Sequence, residues 1–165
     1  MIFGHLAVSA LEHRYAKVDF VPVMAAAVVP DLVDKVAHYL LGSTEFGRLW
    51  GHTLVAALLS TFIVLVLFGR RSATSWGLGY LSHLVCDIGG VVPWLHPLVS
   101  YDFPQAESFE TTLWMGLTQP RILLELALLI WAYIALKPQL GSEAARMWTL
   151  LRQKVSHRQR DPVEH

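Results

Sequence analysis

The feature that most constrains this chain is an uncharged apolar run that extends from His52 to Phe68. Arg70 and Arg71 follow it at once. A run of this kind is typical of a helix that enters a lipid bilayer, whose apolar core needs about 20 helical residues to span. The pattern predicts several membrane segments joined by polar turns. Further apolar stretches lie at 3–18, 20–29, 73–92 and 122–136.

The composition agrees with a membrane environment. Hydrophobic residues make up 54% of the 165 residues and charged residues 16%, whereas soluble domains carry about 25% charged residues. The mean hydropathy is +0.44. We therefore predict an all-α integral membrane helical bundle of about four to five segments, some short and some spanning. Residues 1–136 would form the membrane-embedded domain and residues 137–165 a basic tail.

The charges argue against a nucleic-acid partner and predict an orientation. The formal net charge is zero, and the single cysteine, Cys86, excludes a cysteine-rich zinc site. Basic residues lie at 14–17, at 70–71 and in the tail. Because alternating helices place all three groups on one side, the positive-inside rule predicts that this side, with the tail, is cytoplasmic. Membrane lipid is then the expected partner of the tail.

Histidine and aspartate residues lie at the other end of the apolar stretches. His52 precedes the Arg70 turn by about 18 residues and Asp87 follows it by about 16, so a helical hairpin places both at nearly the same depth. His5 and Asp31 flank the first basic turn in the same way. Four separate segments therefore deliver ligand-type side chains to one side of the bundle.

These residues predict one metal site. His83 and Asp87 are four residues apart and share a helix face. Ionisable residues in apolar segments are costly and default to functional candidates, and a cation offsets the cost of burying carboxylates. Mixed histidine and carboxylate ligands suit zinc, manganese or iron better than magnesium or calcium, and zinc is the first choice. The candidate ligands are His5, Asp31, His52, His83 and Asp87.

Three of these residues also have a plainer interpretation. Asp31 follows Pro30 and could cap a helix. His83 and Asp87 could form a hydrogen-bonded pair without a metal. Arg121 and Glu125 are also four residues apart, and we predict an ion pair within one helix.

The chain carries an ordered set of short motifs. The motifs are Gly4–His5, PDLVDK at Pro30–Lys35, GHT at Gly51–Thr53, GYLSHLVCD at Gly79–Asp87 and the following PWLHPL. In this order they resemble the membrane-bound metal-dependent hydrolases, which include the LexA-regulated, YdjM-like inner-membrane proteins of bacteria. The resemblance covers residues 1–104.

The resemblance implies a multi-pass protein of the inner (plasma) membrane with a His/Asp metal centre and hydrolase activity. The family is similar, distantly, to zinc-dependent phospholipase C, which is helical and uses His/Asp metal clusters. That analogy maps the same five residues to ligands and adds Asp34 as a further candidate. Lys35 stands where some members carry a histidine, which makes it a candidate anion contact.

We hypothesise metal-assisted hydrolysis of a phosphoester, on a lipid or lipid-linked substrate, with the site toward the outer face. Asp34 or Asp87 would accept the proton of the attacking water. Lys35, with Arg48 and His96, would contact the phosphate.

Two other functions remain open at this point. Intramembrane histidines and aspartates also mark divalent-metal or proton transporters, although the ligands lie toward one end and not at the bilayer midplane that transporters use. A non-catalytic scaffold would use the same polar residues only to hold its helices together.

Overall fold

A computed structural model describes residues 3–42, 48–88, 92–102, 108, 110–111, 114 and 118–158. In the last helix the description leaves out the side chains of 121, 140, 142–147 and 150–158. The elements in the described part of the chain are all helices, as the sequence predicts. They are α1 (Gly4–Ala16), α2 (Phe20–Ala26), α3 (Val29–Lys35), a π-helical turn (Val36–Leu40), α4 (Leu54–Cys86) and α5 (Arg121–Arg158).

The predicted second apolar segment is not a single helix. The stretch 20–29 divides into α2, which ends at Ala26, and α3, which begins at Val29. Pro30 occupies the first turn of α3, where its missing N–H removes no helical hydrogen bond. Ala27 lies in this break, between the two short helices.

Helix α4 is a hairpin of two antiparallel arms, 54–68 and 70–86. Gly69 between them has φ 84° and ψ 175°, a conformation that essentially only glycine adopts. The indole Nε1 of Trp76 donates to Oγ of Ser60 at 3.0 Å. In a continuous helix these residues would be about 24 Å apart, so the chain folds back at Gly69, next to the predicted arginine turn.

Two helices are long and apolar enough to cross a membrane, Leu54–Cys86 and Ile122–Gln139. Large apolar side chains such as Leu58, Phe62 and Phe68 are exposed on the first arm of α4, as lipid contact requires. Because α4 folds back, each arm is about 22–26 Å long, shorter than a bilayer core of about 30 Å. The number of membrane segments stays a prediction.

Contacts place the basic groups at one end of the bundle. Arg71 Nε lies 2.9 Å from Asp19 Oδ1, which joins the α4 turn to the α1–α2 turn. Arg14 Nε donates to the carbonyl of Ala135 at 3.2 Å, so the later part of α5 reaches the same end. The membrane side on which this end lies stays a prediction, as does a domain boundary at residue 137, through which α5 continues.

Small residues bring α2 against the second arm of α4. A Cβ at Gly79 would lie 2.6 Å from the carbonyl oxygen of Val23, so only glycine permits this approach. Tyr80 and Leu84 are buried nearby with Ala26 and Ala57. This packing holds the α2–α3 break beside the carboxyl end of α4, where the polar residues collect.

Candidate metal centre

The five predicted ligands meet at the end of the bundle opposite the basic turns. Nε2 of His5 lies 3.3 Å from Oδ1 of Asp87, and Nε2 of His52 lies 3.2 Å from Oδ2 of Asp87. Nε2 of His52 also lies 3.2 Å from Nε2 of His83 and 3.7 Å from Oδ1 of Asp31. The three histidines and Asp87 are buried, and Asp31 is partly exposed.

The hydrogen bonds fix which ring nitrogens carry protons. Nδ1 of His52 lies 2.7 Å from a carboxylate oxygen of Asp34, and Nδ1 of His83 lies 2.8 Å from the carbonyl oxygen of Ala27. Because both oxygens act as acceptors, each Nδ1 must donate. In the neutral rings the two Nε2 atoms therefore present lone pairs to each other at 3.2 Å. A cation or a proton between them removes the repulsion.

The spacing of the donor atoms fits a divalent metal ion. Tetrahedral zinc binds nitrogen at about 2.0–2.1 Å, which places two donor atoms about 3.3–3.4 Å apart. The pairs that involve Nε2 of His52 are 3.2 Å to His83, 3.2 Å to Asp87 and 3.7 Å to Asp31. Two triads meet the requirement for a metal-holding group, His5–His83–Asp87 and Asp31–His52–His83, with ligand atoms within 4.8 Å of one another.

Buried polar atoms without hydrogen bonds support the same conclusion. Both ring nitrogens of His5 and Oδ1 of Asp31 have no hydrogen-bond partner within the described residues. The 3.3 Å approach of His5 to Asp87 is close, but its geometry is not that of a hydrogen bond. An unpaired buried group costs about 1–3 kcal/mol, and a bound cation would satisfy these atoms. The residues present therefore fit a divalent metal, whose identity they leave open.

Asp34 lies behind His52 and not among the facing donor atoms. Its carboxylate accepts from the backbone N–H groups of Leu49 at 2.8 Å and Gly51 at 2.6 Å, as well as from His52. The side chain is buried. A carboxylate that fixes the tautomer and orientation of a ligating histidine is a common second partner in metal sites. These contacts show that Asp34 orients the ring of His52. Its roles as a metal ligand or as a proton acceptor stay predictions.

Two cations border the cluster. Nη2 of Arg48 lies 3.1 Å from Oδ2 of Asp87, and Nζ of Lys35 lies 3.5 Å from Oδ1 of Asp31. Both side chains remain partly exposed, so each can reach solvent while it contacts the cluster. His96, the third predicted phosphate contact, packs its ring against Trp50 with centroids 5.1 Å apart.

The ionisation of the cluster follows from these contacts. Burial lowers the pKa of His52, but the hydrogen bonds to Asp34 and Asp87 outweigh it and leave the pKa above its ordinary value. Burial also opposes ionisation of Asp87, yet the close contacts with the His5 and His52 rings and the charge of Arg48 hold its pKa well below the usual range. Since a metal needs the lone pair of Nε2, binding of a metal to His52 would displace any proton from that atom.

The plainer interpretations of two ligands do not match the contacts. The N-cap of α3 is Val28, with no side-chain cap, and Asp31 lies inside the first turn. Nε2 of His83 lies 4.0 Å from Oδ2 of Asp87, too long for a hydrogen bond. The capping interpretation of Asp31 and the hydrogen-bonded pair of His83 with Asp87 are therefore wrong.

Two contacts of the site were not foreseen from the sequence. The carbonyl of Ala27 holds His83, and no residue pattern marks a backbone acceptor of this kind. Glu125 accepts from the backbone N–H groups of Phe3 and Gly4 at 2.7 and 3.2 Å. The sequence marked Glu125 as a single acidic residue in an apolar helix, and from that we predicted an ion pair with Arg121. The side chain of Arg121 lies outside the described residues, so that ion pair stays a prediction.

Comparison with known proteins adds a family. The sequence model of the family described as YdjM inner membrane protein matches residues 1–152. The matched range includes every residue of the cluster and most of α5. No curated protein and no solved structure matches the chain.

Proposed function

The chain belongs to the YdjM inner membrane protein family, and on that premise we propose that it is a membrane-bound metal-dependent hydrolase. The proposed substrate is a phosphoester, on a lipid or on a lipid-linked molecule. The observation that carries the proposal is the facing pair of Nε2 atoms on His52 and His83, 3.2 Å apart. Their Nδ1 atoms are held by acceptors, which leaves both rings turned toward a shared cation.

The residues divide into ligands and supporting groups. His5, Asp31, His52, His83 and Asp87 would hold the divalent ion, with zinc as the first choice and manganese or iron as alternatives. Such an ion polarises a phosphoryl oxygen and lowers the pKa of a bound water to about 7. Asp34 holds His52 in its ligating orientation. Asp34 or Asp87 would accept the proton of the attacking water.

Recognition of the substrate would fall to the bordering cations. Lys35 and Arg48 each pair with a ligand carboxylate, and a metal that takes over those carboxylates would leave both cations to bind a phosphate. Leu32, Val33 and Trp50 are exposed close to them in the sequence. A mixture of exposed apolar groups and cations favours a lipid phosphoester over a soluble one.

The position of the cluster favours an enzyme over a transporter. His52 precedes the first residue of α4 and Asp87 follows the last, so both lie at the ends of the arms. A transporter holds its ion near the bilayer midplane, where both sides gain access in turn. The position at the ends of the arms favours an enzyme that draws its substrate from one leaflet.

A hydrolysis assay tests the proposal. Protein loaded with zinc, manganese or iron is incubated with phospholipid in mixed micelles and, separately, with p-nitrophenyl phosphate, and the released products are measured. We expect turnover of the lipid phosphoester that is lost in His83→Ala and kept in Arg71→Ala, which lies at the far end. Absence of turnover with every metal, together with zinc flux into proteoliposomes that His83→Ala abolishes, would favour the transporter.

A further inference from the structure

We infer that Glu125 of α5 is a positioning residue of the metal centre, which sets the place of His5 by holding the first turn of α1. The inference rests on the proposed metal centre and adds to it a residue from the last described helix. Glu125 is not a ligand: it acts through the backbone that carries one.

The first turn of α1 has no cap of its own. Its N-cap residue is Phe3, without a side-chain cap, and no acidic residue lies in the first turn. The first N–H groups of a helix have no partner within the helix. Oε2 of Glu125 supplies one, since it accepts from Phe3 N at 2.7 Å and from Gly4 N at 3.2 Å. A carboxylate at this end also complements the helix dipole.

The position of the His5 ring depends on the backbone of this first turn more than the positions of the His52 and His83 rings depend on theirs. Asp34 and the Ala27 carbonyl hold the rings of His52 and His83 through Nδ1. Both ring nitrogens of His5 lack a hydrogen bond within the described residues. Its ring is placed by stacking on His83, with centroids 4.0 Å apart, and by its backbone, which directly follows Gly4. The anchor of that backbone is Glu125.

Packing of α1 on α5 does not by itself require the carboxylate. The two helices already share an apolar contact of Ala7, Ala10 and Leu11 with Ala132, to which Leu128 and Leu129 add. A buried carboxylate in an apolar membrane helix is costly, and Glu125 is buried. The position of Glu125 at the turn that carries His5 explains why a carboxylate is buried there despite this cost.

The test compares zinc affinity, by chelator competition, and the absorption spectrum of the cobalt(II) form in full-length protein. Glu125→Ala removes the anchor, Glu125→Gln keeps an acceptor oxygen, and Leu129→Ala weakens the α1–α5 packing while it keeps the anchor. We expect Glu125→Ala to lower zinc affinity by about 10-fold or more, as changes to groups that orient metal ligands do. Its cobalt spectrum should shift toward that of His5→Ala.

Glu125→Gln should recover most of the lost affinity, and Leu129→Ala should lower thermal stability without changing affinity or spectrum. Wild-type affinity and spectrum in Glu125→Ala, or an equal loss in Leu129→Ala, would overturn the inference and leave the proposed function standing. A wild type that binds no metal overturns both. If Glu125→Ala does not fold, Glu125→Asp keeps the charge on a shorter side chain, and an unchanged cobalt spectrum in that variant overturns the inference as well.

Discussion

The two ends of this bundle both bring charged side chains together, but they do so in opposite surroundings. At the basic end Arg71 and Asp19 pair at 2.9 Å while the arginine side chain is 81% exposed. At the other end His52, His83 and Asp87 lie within 4.0 Å of one another and are at most 3% exposed. Water solvates the first group, whereas only the protein, or an ion that it binds, can compensate the second.

The energetic consequence differs accordingly. An exposed ion pair contributes about 0–1 kcal/mol, so its loss is tolerated. Breaking a buried charged pair costs about 3–5 kcal/mol, because the remaining charge is left without compensation. A cluster that keeps buried atoms without hydrogen bonds, as this one does at His5 and Asp31, is therefore better explained by a bound cation than by a contribution to stability.

The largest effect that this contrast predicts is loss of the metal. His83 belongs to both metal-holding triads, so His83→Ala should leave purified protein without bound metal, while Arg71→Ala at the exposed end keeps the wild-type content. Elemental analysis of detergent-purified protein after reconstitution measures this. Equal metal content in both variants would remove the distinction between the two ends.

A smaller effect on metal binding is expected from Asp34, which contacts the ligand His52. In the wild type the Asp34 carboxylate accepts hydrogen bonds from His52 and from two backbone N–H groups. Asp34→Asn replaces one of the carboxylate oxygens with an NH2 group, so the tautomer of the His52 ring is no longer fixed. Zinc affinity should fall by about 10- to 100-fold, as measured by chelator competition. The matched control is Lys35→Met, which changes only a partly exposed contact of Asp31. Its zinc affinity should fall less than that of Asp34→Asn. The reverse order would make Lys35 the more important support of the ligands.

A substitution at the hairpin turn should lower the free energy of unfolding without changing the metal content. Gly69→Ala places a Cβ on a residue with φ 84°, and we expect the free energy of unfolding to fall by about 1–3 kcal/mol. Denaturation in detergent micelles measures it. Gly141→Ala, in a helix where an added Cβ meets nothing within 4 Å, should not destabilise. A drop in metal content in Gly69→Ala would show that the two ends are coupled.

The smallest effect belongs to the exposed pair itself. Arg71→Ala should change the free energy of unfolding by at most about 1 kcal/mol, and added salt should reduce the difference further. The same denaturation experiment, at low and high ionic strength, measures both. A large, salt-independent loss would mean that this pair is desolvated in the membrane and that the two ends differ less than the exposure of Arg71 predicts.

Much of the fold and of the candidate cluster followed from local pattern. The hairpin around Arg70 and Arg71, and the equal depth of His52 and Asp87, required only the length of the apolar runs and the rise of a helix. The break between α2 and α3 was missed, because the apolar run 20–29 continues through it. The uninterrupted course of α5 through residue 137 to Arg158 did not follow from the sequence, because the change from apolar to basic composition there predicted a boundary between a membrane domain and a tail.

The sequence by itself therefore determined which segments are apolar, where the basic turns lie and which residue types collect at the opposite end, since each depends on neighbours along one helix or one hairpin. Only the tertiary structure decided which nitrogen of His52 and His83 faces the centre, that Asp34 stands behind a ligand and that Glu125 caps α1. These roles depend on contacts between residues 18, 56 and more than 120 positions apart. Such contacts are set by how helices pack and which rotamers fit, and neither is encoded in local spacing.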